Sequence, residues 1–473
     1  MATPIPDNAA AFTLGELAAA VGAVGAAVPE ERAGERVAGI VTDSRRVAAG
    51  NVYVALVGEQ HDGHDFLKAV AGVAAAAIVR TGTTVPAGLL ALEVDDTLVA
   101  LGDIARAHRR RWGGRIVAIT GSAGKTTTKE LAAGALGHDG RVVGRTAGNL
   151  NNRIGVPMTL LCLESSTTLA VIEAGTSLPG EIAALAGIIE PDIAVVTGVS
   201  VAHTAGLGSL DAVADEKMEL LRAVGAEGTA IFSADHPALV QRAGSLRART
   251  LSFGESPQAD VRLVAHTVDA ELRSTCTYAV PGRGTPAAVR LRLLGVGPAV
   301  DAAAALCCVL SCDGVDALDA AIAAMQEVAP VAGRLSPVDG PQGCAILDDT
   351  YNANPASASA SLRALAESAT ARGGRSIAIL GDMKELGSQS GVEHARVGRH
   401  AGELGLHTFV GCGEEMRAAV DAVQGETRAL HVVEPMDALD LLEPPDAGDV
   451  ILIKGSRSMK MERLVDAMTG VGA

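Results

Sequence analysis

Residues 115–136 read Arg-Ile-Val-Ala-Ile-Thr, then Gly-Ser-Ala-Gly-Lys-Thr-Thr-Thr, then Lys-Glu-Leu-Ala-Ala-Gly-Ala-Leu. The first segment is the short apolar run expected of a strand buried in a parallel sheet. The last carries a helical pattern. Between them, Gly121 and Gly124 let the backbone curl so that N–H groups face phosphate oxygens, and the helix N-terminus adds partial positive charge. Lys125 is placed to bridge the outer phosphates of a nucleotide, and Thr126 to offer its hydroxyl to Mg2+. Gly121, Ser122, Ala123, Gly124, Lys125, Thr126 and Thr127 together make a phosphate-binding loop, which by itself says only that the chain uses a nucleotide. It is shorter than the common form, with Ile119 where that form has its first glycine.

Similar units extend on both sides. Before the loop, Val37–Thr42 and Val52–Val57 read as strands, Phe66–Val79 as a helix, and Thr97–Trp112 as a helix ending in the basic cluster His108 to Arg111, a solvated helix end that suits the dipole. After it come the buried-strand runs Leu169–Ile172 and Ile193–Thr197, a more alternating stretch at Asp260–Leu294, and helices at Ala299–Cys312 and Asp316–Glu327. Val328–Gly333, with Pro330 and Gly333, reads as a linker. Beyond it, Ala345–Leu347, Ile377–Leu380, Thr408–Val410 and Val450–Ile453 each lead into a Gly- or Asp-bearing loop and a helix, as in a second doubly wound sheet. The expectation is an α/β chain of three domains, 1–112, 113–332 and 333–473.

The 473 residues carry a formal charge of −16, which argues against a nucleic-acid or anionic-membrane partner. Aromatics are 2% of the chain, so the cores must be packed from Ala, Val, Leu and Ile. The odd number of cysteines, and an N-terminus without basic or apolar signal regions, fit a cytoplasmic protein. Cys307, Cys308 and Cys312 read as buried thiols. Ala69–Val79 is too short to span a bilayer.

Glu173 and His203 each follow a strand, where ligands bind in open parallel sheets. Either could hold Mg2+ or a substrate phosphate. Ser209–Ala223 reads as a helix with Ser209 as N-cap. On it Leu210, Val213, Leu220 and Leu221 form one stripe, and Lys217 falls in its middle, with Asp215, Glu216 and Glu219 on the other side. An inward lysine snorkels, pairs with a charge, or is chemically altered.

Taken together, these segments resemble the Mur ligase family over nearly the whole chain. The resemblance implies a small N-terminal uridine-nucleotide module, a central phosphate-loop domain with a mostly parallel sheet, and a C-terminal Rossmann-like domain that closes on ATP and binds the incoming peptide. It implies Mg2+ ligation by Glu173, by His203 and by Lys217 as a carbamate, with catalytic roles for these three and Lys125. The stretch Gly148–Pro157 is similar to the family's muramoyl-substrate loop, which assigns Asn149, Asn151, Asn152 and Arg153 to that substrate. Ser44 and Arg45 in Thr-Asp-Ser-Arg are similar to the uridine-nucleotide motif. Asp348–Pro355 is similar to a nucleotide-contacting loop, implying Asp349, Tyr351 and Asn352 at ATP, with Arg334 reaching it after closure. Asn354, Lys384, Lys454, Ser456 and Arg457 are implied at the incoming peptide.

The Gly148 and Asp348 loops, with Leu380–Gly387, point to the member that adds D-alanyl-D-alanine to a UDP-N-acetylmuramoyl-tripeptide, working as a cytoplasmic monomer without membrane insertion. Three other readings are an addition of the third peptide residue (diaminopimelate or lysine), a phosphate-loop NTPase switch, and a folylpolyglutamate-type ligase. The Asn149–Arg153 loop and the extra N-terminal domain argue against the last.

Overall fold

A computed structural model describes residues 3–8, 10–23, 28–58, 60–200 and 209–470. It holds three sheets in chain order. The first has four parallel strands, Ile40–Val41, Val52–Val54, Ala76–Arg80 and Ala91–Val94, in that order. The second has nine, with Arg115–Thr120 between Ile193–Val196 and Leu169–Glu173, and Val143–Arg145 at one edge. Its other side runs through Thr229–Ser233 and Arg249–Gly254, parallel, to Val261–Val268, Ser274–Ala279 and Ala287–Leu291. The last three pair antiparallel, as the alternation in that stretch suggests. The third sheet has six strands, five parallel and Ser336–Asp339 antiparallel at its edge.

The apolar runs in the central sheet are buried on both faces. Ile116 and Ala118 join a core that extends to Val52, Val54 and Ile78 of the first sheet. Val117 and Ile119 face the opposite core, built by the helices Lys125–Leu136 and Val296–Cys312. Cys307 and Cys308 are buried there and Cys312 lies at its edge, all as free thiols. Burial pushes the Cys312 thiol up to about 11.

Three expectations need correction. Phe66–Val79 is not one helix. Leu67–Val70 is helical, Gly72 turns the chain at φ +78°, and Ala76–Arg80 is a strand paired with Val52–Val54. Pairing and burial override the helix propensity of the alanines. The basic end of helix Thr97–Trp112 is not merely solvated. Arg109 is buried, donates to the carbonyls of Ile189, Glu190 and Gly114, and pairs with Asp192 at 2.9 Å. Its guanidinium thus satisfies the free carbonyls at the end of helix Glu181–Ile189. Nor is Glu216 on the solvent side. It is buried and accepts from Gly180 N and Ile182 N at 2.8 Å each, capping the same helix at its start.

Gly113, at φ +68°, ends the helix Thr97–Trp112. The chain's one tryptophan, Trp112, donates from its indole to Thr167 O at 2.6 Å, tying this helix to the loop before strand Leu169–Glu173. No helix among the described residues is long and apolar enough to cross a membrane.

Candidate active site

The phosphate loop is held open by its surroundings. Gly124 sits at φ +80°, and a Cβ there would lie 2.3 Å from Asp301 Oδ1. Only glycine fits both the backbone and the space. Asp301 in turn accepts from Thr128 Oγ1 at 3.0 Å. Burial pushes its carboxyl up to about 8, against the Thr128 hydrogen bond and the Arg334 charge, so it is largely protonated at neutral pH. The other side of the loop is fixed by Ser122, whose N–H donates to Gly198 O at 2.9 Å and whose hydroxyl accepts from Ser200 N at 3.0 Å. Lys125 Nζ folds back on Gly121 O at 2.7 Å. Desolvation holds its ammonium below the usual lysine range, Glu173 opposes this, and Arg334 adds to it.

Glu173, at the end of its strand, is buried and joins two loops. Its Oε2 accepts from Thr126 Oγ1 at 2.9 Å, and its Oε1 from Asn151 Nδ2 at 2.8 Å. The phosphate loop and the Asn-rich loop therefore meet on one carboxylate. Thr126 and Glu173 supply hard oxygen donors side by side, a set that fits Mg2+. Lys217 is buried with no hydrogen bond or ion pair among the described residues. Burial brings its ammonium down to about 7, helped by the Lys125 charge and opposed by Glu216. His203 lies outside the described residues.

In the Asn-rich loop, Asn152 Oδ1 accepts from Ile154 N and Gly155 N, starting the helix Gly155–Leu161. Asn149 N donates to Thr3 Oγ1 at 3.3 Å. Arg153 Nε is buried without a hydrogen-bond partner among the described residues. The N-terminal arm then reaches the first sheet, where Asp7 pairs with Arg46 at 2.5 Å and the Asn8 side chain brackets Ile40. Beside them Ser44 and Arg45 lie on a short 3-10 turn capped by Asp43. Arg45 binds that carboxylate through Nε and Nη2 and, through this hydrogen bonding, brings it down to about 2.

In the third sheet Asp349 is the hub. It pairs with buried Lys454 at 2.7 Å and accepts from Ser361 Oγ and Leu335 N. Lys454 also donates to Asn352 O. Arg334 stacks on Tyr351, its Cζ 4.2 Å from the ring centroid, while Tyr351 N donates to Gly333 O at 3.0 Å. Lys384 and Ser456 come together: Lys384 N donates to Ser456 Oγ at 2.8 Å, and Lys384 Nζ to Asp382. Asn354 caps the helix Pro355–Arg372. Arg457 is exposed and pairs with Glu462 at 3.4 Å, away from this cluster's hydrogen bonds.

Residues 119–309 match the Mur ligase middle domain, and residues 333–457 the Mur ligase glutamate ligase domain. The chain is also 35% identical to the UDP-N-acetylmuramoyl-tripeptide--D-alanyl-D-alanine ligase of Escherichia coli (strain K12), over 91% of this chain and 93% of that protein. The chain belongs to the Mur ligase family. The ligase of the same description from Bacillus subtilis (strain 168) is 32% identical, covering 90% of this chain and 92% of its own. Among solved structures, MurF from Acinetobacter baumannii superposes with a TM-score of 0.85 at 29% identity, covering 98% of this chain and 99% of its own. MurF ligase from Thermotoga maritima, in complex with ADP, gives 0.81 at 28% identity over 91% and 96%.

Sequence reasoning about this Mur ligase missed three polar groups at the site: Asp301, Thr146 and Lys129. Two had a signal. Asp301 is a lone charge in an alanine-rich helix, and Lys129 lies one turn after Lys125 on the same face. Thr146 had none.

Proposed function

We propose that the chain uses ATP to join D-alanyl-D-alanine to UDP-N-acetylmuramoyl-tripeptide, giving the pentapeptide precursor of peptidoglycan. The observation that carries this reading is the shared carboxylate. Glu173 receives Thr126 of the phosphate loop on one oxygen and Asn151 of the Asn-rich loop on the other. A γ-phosphate and an acceptor carboxylate held by those two loops would be adjacent.

The tripeptide carboxylate attacks the γ-phosphate, forming an acyl phosphate and releasing ADP. The dipeptide amine then attacks the acyl carbon, and phosphate leaves. Positioning and charge neutralisation account for most of the rate. Lys125 neutralises the transferring phosphoryl group and Arg334 adds a second cation. Ser44, Arg45, Asn149, Asn152 and Arg153 bind the UDP-linked substrate. Asp349, Tyr351 and Asn352 border the nucleotide, and Asn354, Lys384, Lys454, Ser456 and Arg457 the incoming dipeptide. Thr126 and Glu173 would hold Mg2+, with His203 and a carbamylated Lys217 completing the set. When bound, the ion neutralises phosphate charge. The Lys217 amine, brought down to about 7, is substantially neutral at physiological pH, the form that adds CO2. Residues 1–112, 113–332 and 333–473 serve as uridine-nucleotide, ATP and closing domains of a cytoplasmic monomer.

The test is phosphate release with Mg-ATP, UDP-N-acetylmuramoyl-tripeptide and D-alanyl-D-alanine, omitting each in turn. Release must require all three. Turnover with diaminopimelate or lysine as the added amine, or ATP hydrolysis without acceptors, would instead support the other readings. Lys125→Ala should abolish turnover, and acetate should partly rescue Lys217→Ala.

A further inference from the structure

The helix that begins at the phosphate loop carries a second lysine one turn after Lys125. The Lys129 side chain is fully buried. An ammonium removed from water needs partners. Lys129 Nζ donates to Thr146 O at 2.8 Å, lies 3.0 Å from Glu130 Oε1, and stands 3.9 Å from Glu173 Oε2. Thr146 faces two ways. Its carbonyl takes Lys129, and its hydroxyl accepts from Glu173 N at 2.9 Å. The chain then runs directly into the Asn-rich loop. Asn151 returns to Glu173 through its side chain and accepts from Gly175 N on its carbonyl at 2.8 Å. Glu130 is bound in turn by Arg145, the residue before Thr146, at 3.2 Å.

Lys129 thus reaches, from the nucleotide helix, both the carboxylate and the start of the acceptor loop. Its hydrogen bond goes to Thr146 and its ion pairs to Glu130 and Glu173, all protein groups, so its action on the acceptor loop runs through Thr146 and Glu173. We propose that Lys129 is a positioning residue that locks the acceptor loop, residues 147–155, to the nucleotide helix through Thr146 and Glu173. Assigning that loop to the UDP-linked substrate rests on the function proposed above; the mechanical lock does not.

The experiment uses the full chain with Lys129→Met, Thr146→Val and the double variant. Thr146→Val keeps the shape and β-branching while removing the hydroxyl that receives Glu173 N. Amide hydrogen exchange is followed over residues 147–155, and steady-state constants are measured for each substrate. Both single variants should exchange roughly tenfold faster in this loop and raise KM for the UDP-linked substrate roughly tenfold, with KM for ATP changed by less than about threefold. The double variant should be no worse than Lys129→Met alone, because both act through one chain of contacts. Unchanged exchange, or equal losses for ATP and the UDP-linked substrate, overturns the proposal. Should Lys129→Met fail to fold, Thr146→Val gives both readouts. Should the wild type not turn over the UDP-linked substrate, the proposed function fails, and the exchange data still decide the lock.

Discussion

Lys217→Met should make the protein more stable, by an amount that depends on pH. Lys217 is buried and its ammonium has no hydrogen bond among the described residues. Burial lowers it from the ordinary lysine value of 10.5 to about 7. Below about pH 7 the amine is charged in both folded and unfolded chains, and the folded state bears the whole desolvation cost. Between about 7 and 10.5 the unfolded chain binds the extra proton, so wild-type stability rises with pH through this window. At about 1.4 kcal/mol per tenfold, the cost is at most about 5 kcal/mol at pH 6 and about 2 kcal/mol at pH 9. Methionine has similar length and carries no charge. Its advantage should therefore shrink by roughly 3 kcal/mol between those two pH values. Urea unfolding followed by circular dichroism in CO2-free buffer, with chelator, measures both. A variant no more stable than wild type at pH 6, or an advantage equal at both pH values, would refute the reasoning.

Three further outcomes follow from the packing. Gly124→Ala imposes a left-handed conformation costing about 1–2 kcal/mol and drives a methyl into Asp301; calorimetry should show lost ADP binding along with a lower urea midpoint. Lys454→Met leaves Asp349 buried without its cation, and unfolding titrations should register a loss of about 3–5 kcal/mol. Glu216→Gln leaves a single neutral acceptor for the two N–H groups at the start of helix Glu181–Ile189; a loss of about 1–2 kcal/mol is expected, and none would mean the cap contributes nothing.

What was legible in the sequence was local. The strand Arg115–Thr120, the helix after the phosphate loop and the Ser209 cap each depend on neighbours within a few residues. The Asn-rich loop could be found by its motif, but its meeting with Thr126 on Glu173 depends on strand order. Where distant residues decide, the reading failed. The alanines before Ile78 favour a helix until Val52–Val54 is available to pair with them. Arg109 reads as a surface cation until Asp192 and the end of a later helix close over it. Glu216 reads as a polar-side residue because its partners are backbone N–H groups, which leave no trace in a residue pattern.

The position of Trp112 has a practical consequence. With a single tryptophan and three tyrosines in 473 residues, indole fluorescence comes from one place, the joint between the first two sheets. Circular dichroism averages over all three sheets. Following one urea titration by both signals therefore separates loosening of that joint from general unfolding. Coincident curves would mean that the joint loosens only as the whole chain unfolds, and an earlier fluorescence change that it loosens first. The scarcity of aromatic residues, which obliges the cores to be built from aliphatic side chains, gives this enzyme an intrinsic optical probe of that single joint.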